Sequence, residues 1–183
     1  LFYKNEISIS DFIHKNCIRL GVEIDMSKGS HYFTEADNMI DDKIDPRNPD
    51  TAAILREQGY LTLHEGKTFH QYTDHWEDRP RYLVSLKKIA DKLDWIKATS
   101  YYRLAFRAIA RSTDERTAIF ALLPGGVIFG NSAPCERQPD QRPNIKALLV
   151  MALANTFKFD WALRQKTSAN VNLFILNGCP VPS

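Results

Sequence analysis

Four arginines, Arg103, Arg107, Arg111 and Arg116, recur within fourteen residues, with Tyr101 and Tyr102 at the head of the run. A guanidinium reads a guanine edge through two parallel hydrogen bonds, and serine and threonine hydroxyls hold phosphate oxygens. Arg111-Ser112-Thr113-Asp114 supplies both types in one polar segment. If residues 101–110 form a strand, Arg103 and Arg107 project from the same side of it. Two roles are open for that pair: contact with an anionic partner, or ion pairs with carboxylates elsewhere in the chain. A second polar stretch, Gln165 to Asn172, adds Lys166, Ser168, Asn170 and Asn172. Asparagine reads adenine in the major groove, and it also makes turns.

One hydrolytic pattern competes. Pro49-Asp50 followed by Glu65-Gly66-Lys67 spells P-D…E-x-K. In metal-dependent nucleases the two carboxylates hold Mg²⁺ and the lysine stabilises charge or positions the water. That chemistry needs Glu65 and Lys67 on one face of a strand, and Gly66 between them favours a turn instead. His64, His70 and His75 lie close together but match no known metal template, so no metal site is expected. Other chemistries have no candidate residues. Pro124-Gly125-Gly126 lacks the spacing of a phosphate-binding loop. Ser112 and Ser132 lack the nucleophile-elbow context.

The elements that must position these side chains follow from periodicity. Ser8 to Cys17 reads as a helix capped by Ser10, and Thr51 to Gln58 as a helix stopped at Gly59. Tyr60 to His64 alternates as a strand, with Thr68 to Tyr72 its hairpin partner across Glu65-Gly66-Lys67. Arg81 to Val84 reads as a strand and Ser85 to Ile96 as one amphipathic helix. Tyr101 to Ala110, Thr117 to Leu123 and Val127 to Gly130 are strand-like, and Asn131 to Pro143 is a loop. Asn144 can cap one long helix running to about Lys166, and Val171 to Leu176 returns as a strand. Strands and helices mix without βαβ regularity. The fold class expected is therefore α+β, a mixed sheet with flanking helices.

The chain has 183 residues, 44% hydrophobic and 25% charged, the mix of a folded globular chain. Residues 23–57 are acidic and loop-rich, so residues 1–60 form an acidic N-terminal part and residues 61–183 the main body. Net charge is +2 overall. Residues 1–95 carry 13 Lys and Arg against 17 Asp and Glu, net −4, whereas residues 96–183 carry 11 against 5, net +6. That asymmetry favours an anionic partner for the second half, with a solvated basic face as the alternative. No apolar run reaches the ~18–20 residues of a membrane span. Three widely spaced cysteines, Cys17, Cys135 and Cys179, suit reduced thiols in a cytoplasmic setting. The opening Leu1-Phe2-Tyr3-Lys4 has neither an initiator Met nor a signal peptide, as expected of a piece of a longer protein.

Several ordered segments carry a more specific signal. Leu63-His64-Glu65-Gly66-Lys67-Thr68-Phe69-His70-Gln71-Tyr72 resembles the L-Y-E-G-K-M-I-H-Q-F segment of type IIG restriction–methylation enzymes and their relatives. Arg81-Tyr82-Leu83-Val84 resembles the R-Y-W-V that follows it there. Residues Arg107 to Thr117 are similar to that family's R-D-I-A-R-S-T-N-E-R-T. The likeness continues through Ala121 to Pro124, Asn155-Thr156-Phe157, Asn172 to Leu176 and Pro180-Val181-Pro182, with Asp25-Met26 and His31-Tyr32-Phe33 echoing an earlier segment. It spans about residues 23–182 in order.

The resemblance implies a target-recognition region similar to the TaqI-like specificity domain, following an adenine-N6 methyltransferase domain. In that arrangement the upstream domain binds S-adenosylmethionine and flips the target adenine, while this region grips phosphates and reads bases of duplex DNA. No N-P-P-Y motif occurs here, and Asn48-Pro49-Asp50 does not supply one. No cofactor is therefore expected in this chain, nor catalysis by it alone. The residues expected to face DNA are Lys67, His70, Gln71, Arg103, Arg107, Arg111, Ser112, Thr113, Asn131, Lys166 and Asn170. Glu65, Arg116 and Asn155 can instead belong to a buried network holding the loops. The chain departs from the family at Trp76 to Pro80 and in the Asn131–Pro143 loop, where recognition would vary.

Overall fold

The computed structural model describes residues 7–181. The opening Leu1-Phe2-Tyr3-Lys4 and Pro182 lie outside the described residues. Along the chain run α1 (Ile9–Lys15), β1 (Leu20–Gly21), β2 (Phe33–Glu35), α2 (Pro49–Glu57), β3 (Tyr60–His64), β4 (Tyr82–Ser85) and α3 (Leu93–Ala98). Then come β5 (Arg103–Phe106), β6 (Phe120–Leu123), β7 (Val127–Phe129), β8 (Cys135–Glu136), α4 (Asn144–Ala154), α5 (Phe157–Arg164) and α6 (Leu173–Asn177).

The strands form two four-stranded sheets, and the fold is α+β. One is mixed, in the order β2-β4-β3-β7, with β3 and β7 parallel and the other pairs antiparallel. The other is antiparallel, in the order β1-β8-β5-β6. The Pro124–Gly126 turn carries the chain from β6 in one sheet to β7 in the other. Gly126 sits there at φ 85°, a left-handed conformation that glycine adopts without strain.

The acidic part before residue 60 contributes a strand to each sheet, β2 beside β4 and β1 beside β8.

Alternation along each strand sets the layers. Leu104, Phe106 and Phe120 face a core with Ile9, Ile13, Ala147, Val150, Phe159 and Leu163 of the helices. The opposite face of β5 and β6, through Ala105, Ala121 and Leu123, packs on Val127 and Phe129 of the mixed sheet. The far face of that sheet, with Leu61, Leu63 and Ile128, is covered by Trp95 and Ile96 of α3.

Local chemistry explains where several expected elements change. α1 is capped by Ser8, whose Oγ accepts from Asp11 N at 3.1 Å, and not by Ser10. α2 begins as its residues dictate: Asn48 caps it, Pro49 takes the first turn and Gly59 ends it at φ 82°. β3 has no hairpin partner in residues 68–72. Residues Gly66–Thr68 make a single 3₁₀ turn, and β3 pairs with β4 and β7. The expected helix over 85–96 divides into a 3₁₀ turn, Leu86–Ile89, and α3. The loop 131–143 holds β8 and a 3₁₀ turn.

The expected long helix is two helices. Thr156 stops the first and caps the second, its Oγ1 accepting from Phe159 N at 3.2 Å. Residues 171–176 form no strand. Asn172 Oδ1 accepts from Ile175 N at 2.8 Å and starts α6 instead. In both cases a short polar side chain at an N-cap outweighed the apolar pattern around it.

Candidate nucleic-acid interface

The 107–117 segment is a loop pinned from behind by α5. Arg164 donates Nη1 to the carbonyls of Ser112 (2.7 Å) and Asp114 (2.9 Å), and Nη2 to that of Glu115 (2.9 Å). Its Nη2 also meets Asp160 Oδ2 at 3.1 Å. Asp160 Oδ1 in turn accepts from Thr117 N and Ala118 N, each at 2.7 Å. Thr117 Oγ1 donates to Arg111 O, and Asp114 Oδ2 accepts from Arg111 N. With the carbonyls turned inward, the exposed Arg111 and Thr113 side chains point away from the scaffold and have no partner among the described residues.

Neighbouring loops meet this one. An isolated bridge joins Ile109 to Asn170, and Ser112 N donates to Ser168 O. Ser132 accepts from Ala108 N through its carbonyl and from Gly66 N through its hydroxyl, tying the 131–134 and 64–68 segments to the same edge. A side chain at Gly66 would collide with Ser132 O at 2.5 Å, so only glycine permits this approach. Arg107 Nε donates to Ile109 O, which leaves both its terminal amino groups free. His70 stacks on Trp76 with ring centroids 4.0 Å apart. Burial, and then the nearby Arg107 charge, hold the His70 pKa below that of free imidazole, so the ring is neutral at pH 7.

Of the residues expected to face DNA, the structure thus gathers Arg107, Arg111, Thr113 and Asn170 along one edge, with His70 and Asn131 beside it. Asn131 is exposed and accepts from Met26 N. Lys67, half-exposed, is paired with Asp78 at 2.9 Å. Lys166 donates to Gly178 O at 2.6 Å, and Ser112 offers its carbonyl inward.

Two expectations are corrected. Arg103 is fully buried, with Nη1 2.5 Å from Glu23 Oε1 and Nη2 donating to Val127 O at 2.6 Å. It does not share an exposed face with Arg107, because β5 is sandwiched between sheet and helices and ends at Phe106. Gln71 is turned inward as well, donating Nε2 to Ala118 O (2.7 Å) and Asn155 Oδ1 (3.2 Å).

The three residues of the P-D…E-x-K pattern are engaged separately. Asp50 sits in the exposed first turn of α2. Glu65 holds Arg81 through two bonds of 2.9 and 3.1 Å, while Lys67 turns away to Asp78. Among the described residues no group of three or more His, Cys, Asp or Glu side chains converges as a metal site.

Sequence reasoning missed Arg47. Its Nη1 donates to the carbonyls of Thr68, Asp74 and Trp76, and Asp45 clamps its other nitrogens. One guanidinium thereby shapes the 68–76 loop that presents His70 and Trp76. Asp45-Arg47 at spacing two was the only trace of it in the sequence. Among the described residues no helix is long and apolar enough to cross a membrane. The chain matches no family model, and no curated protein matches it closely enough to count as a relative.

Proposed function

We propose that this chain is a DNA target-recognition module of a restriction–modification or phage-defence system. It binds duplex DNA along the edge built from Arg107, Arg111, Thr113, Asn131 and Asn170. In this reading it acts in the cytoplasm, beside a covalently linked adenine-N6 methyltransferase domain that carries S-adenosylmethionine. The observation that carries the reading is the pinned 111–117 loop. Arg164 and Asp160 hold its backbone so that two unpaired donor side chains, Arg111 and Thr113, stand outward next to the free end of Arg107. Rigid presentation of unpaired Arg and hydroxyl donors suits phosphate and guanine contacts, because little side-chain and loop entropy is lost on binding.

The test is duplex binding across a salt series. The chain binds at low salt, with affinity falling steeply as salt rises. Arg107→Ala and Arg111→Ala each flatten the salt slope by about 1 if the lost contact is to phosphate, or relax base preference if it is to a base edge. Absence of binding at low salt, or unchanged affinity in the double variant, removes the proposal.

A further inference from the structure

A cleft of about 390 Å³ opens between α2 and the Pro124–Gly126 turn, away from the 111–117 loop. That is enough for a planar heterocycle and its sugar. Its floor is the face of β3 that carries Thr62 and His64, and its walls are mostly small or ring-flat residues, among them Pro46, Pro49, Ala53 and Gly125. His64 is 1% exposed, yet it lines this cleft.

The tautomer of His64 follows from its neighbours. Thr68 Oγ1 lies 2.8 Å from Glu65 O, a contact between two oxygens that requires a proton, and the hydroxyl hydrogen is the one available. Thr68 Oγ1 can then only accept from His64 Nδ1, 2.8 Å away. The imidazole proton is therefore on Nδ1, and Nε2 is a bare acceptor with no partner among the described residues. Burial keeps the ring uncharged, its pKa lowered to about 3. An uncharged acceptor cannot hold an anion, and Arg47 and Arg56 in the walls disfavour a cation. Asp74, also lining the cleft, supplies further acceptor capacity, while Arg56 donates Nη2 to Gly125 O and keeps its other N–H groups free.

The geometry points to this cleft as a binding site for an amino-bearing nucleobase, which donates an N–H to His64 Nε2 while an attached phosphate reaches Arg56. Uracil fits worse, because carbonyls flank its N–H and would face Asp74. The base comes from a free nucleotide or from an unpaired position in a duplex. The cleft shares no lining residue with Arg107, Arg111, Thr113, Asn131 or Asn170, so Arg111→Ala leaves it intact.

The experiment is ¹⁵N NMR of the His64 ring in the whole chain. Adenosine, cytidine and uridine 5′-monophosphates are added in turn, then a duplex with one bulged adenosine and a fully paired control. The free protein shows protonated Nδ1 and bare Nε2. Adenosine or cytidine monophosphate, or the bulged duplex, shifts Nε2, and uridine monophosphate does so at least tenfold more weakly. Ala53→Trp, at an exposed position on the rim, abolishes the shift and leaves the fold intact. A shift with the free nucleotides assigns the first source, and one with the bulged duplex alone the second. An Nε2-protonated ring, no shift with any probe at millimolar concentration, or equal binding by Ala53→Trp overturns the proposal.

Discussion

His64 shows how one residue couples position to chemistry. Placed at the end of a strand buried on both faces, it loses its charged form to desolvation. Its pKa is lowered from 6.5 to about 3, so between these values the unfolded chain binds a proton that the native chain does not. The sign follows: this contribution to stability is fully present above about pH 6.5 and is lost progressively as pH falls toward 3. We expect the urea midpoint to fall on acidification from about pH 7 to about pH 4. His64→Gln, which cannot take up a proton, shows a shallower decline over that window. Parallel curves for the two proteins would mean that His64 titrates normally.

Several elements of this fold rely on side chains where a strand lacks a neighbour. β6 is an edge strand, and Asn155 completes it as a further strand would. Its Oδ1 accepts from Phe120 N at 3.0 Å and its Nδ2 donates to Phe120 O at 2.8 Å. Asn155 Oδ1 also receives Gln71, and its backbone carbonyl accepts Arg116 Nη2 at 2.6 Å. Unpaired edges invite association with other strands, and a capped edge suppresses it. The expected consequence of Asn155→Leu is a loss of about 2–3 kcal/mol, because it strands buried backbone groups. Self-association measured by sedimentation should rise with it. A variant as stable as the parent and no more self-associated would show that Asn155 caps nothing of consequence. The same network holds the 107–117 loop, so the residues of the R-S-T-D-E-R-T segment divide into two kinds. Arg116 and Thr117 face inward as scaffold, and Arg111 and Thr113 face outward.

Across the whole molecule, the pair Arg103–Glu23 joins the two sheets. Arg103 belongs to β5 of the antiparallel sheet. Its partner Glu23 accepts from Phe129 N of β7 at 3.1 Å through Oε2, and Arg103 donates to Val127 O of the same strand. Together they satisfy the outer edge of the mixed sheet. A buried ion pair can often be exchanged for apolar residues at little cost, but this one also pairs backbone groups. Arg103→Met costs about 3–5 kcal/mol by leaving the buried Glu23 carboxylate without its counter-charge. The double variant with Glu23→Leu remains about 1–3 kcal/mol less stable than the parent, since Phe129 N and Val127 O stay unpaired. Trp95, beside the mixed sheet, and Trp161, on α5, should report one coincident unfolding transition in each case. Separate transitions would mean that the sheets do not depend on this link, and a fully stable double variant would mean that the backbone pairing is immaterial.

Local signals were legible in the residues alone. The helix stopped at Gly59 and the strands β3, β4, β6 and β7 follow from the Gly stop, from alternation and from short apolar runs, as does the α+β class, whereas the Asn48 cap that starts α2 two residues earlier, at Pro49, emerges only in the structure. The acidic first half and basic second half were visible too, but their meaning was not. Many of the second half's cations are engaged internally, Arg103 by Glu23 of the first half, Arg142 by Glu136, and Arg164 and Lys166 by backbone carbonyls. Composition counts charges without saying which are neutralised across 80 residues of sequence, the separation of Glu23 and Arg103. Periodicity likewise could not place Arg103 inside, because a strand covered on both faces buries both sets of side chains. The inventory of unpaired donors at Arg107, Arg111 and Thr113, and the bare nitrogen of His64, were decided only by tertiary contacts. A side chain's availability depends on which distant backbone groups have already claimed its hydrogen bonds.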